Sequence, residues 1–119
     1  PYLGNPVEGL SPILREILNQ ETFDLFQPGD VIYFLFENYD QTAFIDDPMR
    51  THVTTIDGVG YGGWHVGLSA GENKIIHAKP GYEVQFDTIG PDSNYFTVSF
   101  DALWVARRDY QTPTVDLQN

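Results

Sequence analysis

The chain has 119 residues, 41% hydrophobic and 14% aromatic, with 17 acids against 6 bases and a formal net charge of -11. That length holds one core and not two, and the apolar content is that of a folded domain. The charge repels phosphate backbones and anionic lipid heads, which argues against nucleic acid and membrane surfaces as partners. The absence of cysteine removes disulfides, thiolate metal ligands and a cysteine nucleophile together.

No run is long and apolar enough for a membrane span, and no signal-peptide pattern is present. The first residue is Pro1, which reads as a processed product or a domain cut from something longer. The opening "PYLGNPVEGL" reads as a loop. "SPILREILNQE" follows and predicts a helix over about 12–20, with Ser11 as N-cap, Pro12 at the first helical position and Ile13, Leu14, Ile17 and Leu18 as an apolar stripe. "FQPGD" is turn chemistry leading into the strand "VIYFLFE", whose unbroken apolarity implies burial on both faces. Residues 38–63 form a long polar, glycine-rich insertion holding one short strand around "THVTTI".

"WHVGLSA", the turn "GENK" and "IIHAKP" then read as a hairpin, "YEVQFDTI" as a further strand and "LWVARRD" as the last. Residues 1–110 make one domain and 111–119 a flexible tail or linker stub. A helix followed by mainly antiparallel strands is an α+β layout, the helix packed on a sheet that contains 31–36, 64–70, 74–78 and 98–107.

The words "PYLG", "FQPGDVIYF", "HVGLSAGENKIIHA" and "LWVARR", in that order across nearly the whole chain, resemble the NlpC/P60 family of papain-like cell-wall peptidases. The resemblance implies a papain-like α+β fold and a nucleophile at the N-terminus of the first helix. It sets His65 on the family's base and His77 on the residue that orients it. The same alignment puts Leu10 where the family has its cysteine and Gly9 where it has an aspartate. Two thirds of a triad are in place and the reacting atom is missing.

Ser11 stands one residue along, so Ser11, His65 and His77 form an alternative Ser-His-His arrangement, set against its role as a helix cap. His65 and His77 also read as core imidazoles bonded to backbone. His52, His65 and His77, or two of them with Asp46 or Asp47, are the conceivable metal set, but their spacing matches no metal-binding signature and "DTIGPDSN" has no EF-hand spacing, so neither metal nor cofactor is expected. Trp64, Tyr61 and Tyr82 are the candidate binding residues, and Trp104 is assigned to the core.

The leading expectation is a catalytically inactive NlpC/P60-like domain acting as a binding or structural module. Its ligand is a peptide, a peptidoglycan-like molecule or a protein partner; self-association is compatible with the sequence. By resemblance its setting is secreted or cell-surface. The alternatives are a hydrolase of peptide or other acyl bonds using Ser11 with His65 and His77, and an unrelated small β-rich binding protein.

Overall fold

The computed structural model describes residues 4–37, 52–78, 83–91 and 100–108, with backbone alone at His52 and Trp64. Tyr82, Asp46, Asp47 and the 111–119 tail lie outside the described residues. Among the described residues eight strands run in chain order as β1 (Asn5–Pro6), β2 (Ile13–Leu14), β3 (Val31–Glu37), β4 (His52–Ile56), β5 (Val59–Gly71), β6 (Lys74–Ala78), β7 (Val84–Thr88) and β8 (Ala102–Arg107). They form one sheet in the order β1-β8-β3-β5-β6-β7, with β2 also on β8 and β4 also on β5. Every pairing among these described strands is antiparallel.

The turns explain the hairpins. β5 and β6 are joined by Glu72 and Asn73, both at positive φ (53° and 60°), and β4 and β5 by Asp57 and Gly58 (50° and 82°). Two-residue loops with both φ positive match the right-handed twist of the strands they join. Before β3, Asp30 N–H bonds Gln27 C=O at 3.0 Å around Pro28 and Gly29. Gly29 has φ 91°, as the third position of a type II turn requires.

β3 pairs with β8 and β5, so its apolar run is covered along both edges and packed on both faces. Ile32 and Phe34 bury on one face with Leu10, Ile75, Leu103 and Val105, while Leu35 faces the other way with Tyr61 and Ala102. Each fully buried side chain of this size contributes about 1.5–3 kcal/mol.

The α+β, papain-like expectation is overturned. Among the described residues the helical segments are a three-residue 3₁₀ turn, Arg15–Ile17, and a four-residue helix α1, Gln20–Phe23. Ile13 and Leu14 instead pair with Leu103 and Ala102. The stripe divides accordingly: Ile13 and Leu18 enter the core, Leu14 packs on the opposite cluster, and Ile17 stays 60% exposed. A helix of nine or so residues is marginal by itself, and strand pairing plus burial on β8 outweighs its weak propensity.

Ser11 is therefore no helix cap. The N-cap is Asn19, whose side chain accepts from Thr22 N–H (3.2 Å) while the Thr22 hydroxyl accepts from Asn19 N–H (3.0 Å), a reciprocal box at the start of α1.

Candidate active site

β5 and β6 place the two histidines. Leu68 pairs with Ile76 and Ser69 with Ile75, which turns His65 and His77 to the core face of neighbouring strands. Gly67 lies between them on β5. A methyl group there would come within 2.5 Å of Ile75 Cδ1, so the close fit of β6 onto β5 depends on its missing side chain.

His65 Nε2 lies 2.8 Å from His77 Nδ1, with the rings at 77° to each other. His77 is 3% exposed, and its Nε2 lies 2.5 Å from Asp87 Oδ2. Asp87 comes from β7, whose Ile75↔Asp87 and His77↔Gln85 pairing sets the carboxylate diagonally across from the ring. Phe34 packs against His65 with ring centroids 5.5 Å apart, closing the core side.

The acceptor-only carboxylate of Asp87 sets the proton positions along this chain. It takes the Nε2–H of His77, so His77 Nδ1 carries a lone pair and accepts the Nε2–H of His65. The basic nitrogen of His65 is then Nδ1. A proton arriving there would place positive charge on a ring that is connected through His77 to a carboxylate, the arrangement that orients and supports a general base.

Neither candidate nucleophile joins this chain. Leu10 is fully buried among the core side chains, and no helix begins there to supply a dipole. The Ser11 hydroxyl donates to the backbone carbonyl of Val105 and accepts from Val105 N–H at 2.9 Å. Its hydrogen bonds bind the 8–12 turn to β8 rather than reaching His65.

The binding candidates separate as well. Tyr61 is 5% exposed and packs with Leu35 and Ala102 on the opposite face of the sheet from His65. Trp64 is the extra residue at a bulge, where Phe34 pairs with His65 but Leu35 pairs with Gly63. Trp104 lies in the Tyr61 cluster, half-buried. Among the described residues no group of three or more His, Asp or Glu has metal-binding geometry.

Asp87 is not among the sequence candidates, although "YEVQFDTI" reads as a strand that contains it. The available signal was strand alternation: Gln85 and Asp87 share one face of "VQFDT" while Val84, Phe86 and Thr88 share the other.

The Pro-Gly-Asp turn has a supporting role. Asp30, 1% exposed, receives Arg107 Nε (2.8 Å), Arg107 Nη2 (2.9 Å) and Gln27 N–H (2.8 Å). This bond raises the pKa of the Arg107 guanidinium above its ordinary value and ties the end of β8 to the start of β3. The chain matches no protein-family model, no curated protein and no solved structure.

Proposed function

We propose that this chain is a non-catalytic binding or structural module, related to NlpC/P60 proteins through the words of β3 and the β5–β6 hairpin. One observation carries the reading: the Ser11 hydroxyl is engaged on both sides by the Val105 backbone. With Leu10 in the core and cysteine absent, the positions singled out as nucleophiles give His65 no group to activate. The His65–His77–Asp87 chain then serves as a polar tie across β5, β6 and β7. A part-buried hydrogen-bonded chain of this kind favours one arrangement of its strands.

Exposed apolar side chains support the interaction half of the reading. Val66, Leu68, Val84 and Phe86 on the outer face of β5 and β7 are 38–67% exposed. A peptide or protein partner and a secreted or cell-surface setting belong to the same proposal.

The test is hydrolysis. The purified chain, given peptidoglycan stem peptides and 4-nitrophenyl acetate, should show no turnover beyond that of free imidazole at equal concentration, before or after iodoacetamide. Turnover abolished by His65→Ala in a folded variant would overturn the proposal. If Ser11→Ala abolished it too, while leaving the fold intact, the Ser-His-His reading would take its place.

A further inference from the structure

Both faces of the sheet are apolar. In an antiparallel sheet with one solvated side, that side alternates to polar residues. Here Val31, Leu68, Ile76 and Phe86 lie in one row across the outer face of β3, β5, β6 and β7. In the next row Tyr33 pairs with Val66, and Ala78 with Val84. None of these side chains is charged at neutral pH, in a chain whose formal net charge is -11.

At one end of this face Leu14, Val53, Ile56 and Val59 pack against Leu35, Tyr61 and Ala102 and help to bury them. Toward β7 the same face is open. Val66 is 38% exposed, Leu68 45%, and Val84 and Phe86 67% each. Monomeric proteins rarely leave more than a few hundred Å² of contiguous apolar surface in water.

Shape and charge select the occupant. The rows offer no charge for an ionic ligand to meet, and a sheet face is flat where a peptide needs a groove. A second copy brings a flat, uncharged face, and the relief is self-complementary. Phe86 stands beside Ile76 and Ala78 beside Val84, so a large projecting ring and the smallest side chain of the rows are diagonal neighbours. A two-fold axis between them sets each Phe86 over Ala78 of the other copy, the reciprocal exchange that an isologous contact requires.

The area is sufficient for a weak, specific pair. Strands about 4.8 Å apart and rows about 7 Å apart give the apolar rows a plane of about 19 by 14 Å. With β8 and one rim row at each end, the contact reaches roughly 600 Å² per copy and roughly 1,200 Å² for the pair, the lower bound of specific interfaces.

We propose that two copies of this chain pair face to face through the outer rows of β5, β6 and β7, Phe86 of each entering the dent over Ala78 of the other. The proposal rests on the reading of the chain as a binding module and names its partner.

The test is sedimentation equilibrium of the whole chain from about 1 µM to about 500 µM. The mass should rise from 13.5 kDa toward twice that value, with a midpoint of roughly 10–100 µM for so small an interface. Added salt should strengthen pairing, because it screens two chains of like charge and spares the apolar contact. Phe86→Ser should weaken pairing about tenfold or more, since each dimer loses two buried rings. Ala78→Leu should weaken it about fivefold or more by filling the dent, although it adds apolar surface. Leu25→Ser removes a side chain 48% exposed between α1 and β3, outside these rows. It should change pairing less than about twofold. All three positions are exposed, so the monomer fold should survive, which circular dichroism checks.

A second readout uses the absence of cysteine. The thiol of Val84→Cys should react with iodoacetamide as a free thiol does in the dilute monomer, and more slowly at high concentration. A monomer at every concentration would overturn the proposal. So would a thiol shielded even at high dilution, because the chain would then cover this face itself. Pairing that salt weakens, that Ala78→Leu strengthens or leaves alone, or that Leu25→Ser weakens as much as Phe86→Ser would also overturn it. None of these results measures hydrolysis, so failure here is distinct from failure of the non-catalytic reading.

Discussion

Replacing Asp87 with alanine tests the direction of the imidazole chain. His77 has no side-chain exposure and Asp87 has 33%, with 2.5 Å between them. Removing the carboxylate takes from His77 Nε2–H its charged acceptor in a site the His77 ring cannot leave. Hydrogen bonds to charged groups contribute about 1.5–3 kcal/mol, and the one-third exposure of Asp87 favours the lower half of that range. We expect Asp87→Ala to lower stability by about 2 kcal/mol, seen in urea unfolding as a reduced midpoint at constant slope. In a domain of this size that is a fall of roughly 8 °C in Tm.

Asp87→Asn should lose about half as much, because its amide oxygen still accepts from His77 at neutral-bond strength. Stability alone would not separate this account from general loosening, so the second readout is the tautomer. Nitrogen NMR of the histidines should show protonated Nε2 on both His65 and His77 in the parent chain and in Asp87→Asn. In Asp87→Ala both should become mixed. A loss below about 0.5 kcal/mol in Asp87→Ala, with His77 still protonated at Nε2, would refute the reasoning, since the carboxylate would then not be setting the proton order.

Arg107→Ala should cost about 2 kcal/mol by stranding the buried Asp30 carboxylate, less than a fully buried pair because the Arg107 side chain is 37% exposed. Arg107→Lys should recover only part of this in urea unfolding, having the charge without the fork that meets both oxygens; full recovery would mean geometry is irrelevant. Tyr61 predicts an alkaline limb. Its folded pKa is raised by burial and then by Glu37 and Asp101, so its contribution is intact below the unfolded value of about 10 and is lost as pH climbs through the folded one. Absorbance near 295 nm should show a late-titrating component that is absent in Tyr61→Phe, and an unchanged titration in that variant would contradict the assignment.

The parts legible from sequence are those governed by residues close together in the chain. "QPGD" forms a turn because proline and glycine fit its two central positions and the aspartate closes it. "GENK" links two runs that pair at once, and "VIYFLFE" is apolar enough to take the middle of a sheet. The 12–20 helix misleads because its evidence is also local, whereas its fate is decided by residues about ninety positions away. Val105 claims the Ser11 hydroxyl and Leu103 claims Ile13 as a strand partner. A stripe at i, i+1, i+4 and i+5 marks a helix only when one surface receives all four side chains, and here two cores and solvent divide them.

The placement of His65 and Tyr61 is a sharper case of the same limit. Four residues apart on one strand, they would share a face if β5 were regular, since side chains alternate with period two. The bulge at Trp64 adds one residue against the junction of Phe34 and Leu35, and the phase reverses. His65 therefore faces the core beside Phe34, where neighbours on β6 and β7 complete a hydrogen-bonded chain. Tyr61 faces the opposite cluster, level with Glu37. Nothing in "GYGGWHVG" fixes that inserted residue, because glycines on either side permit a bulge without requiring one. One strand thus turns side chains to two opposite faces, and the separation follows from a single extra residue opposite β3.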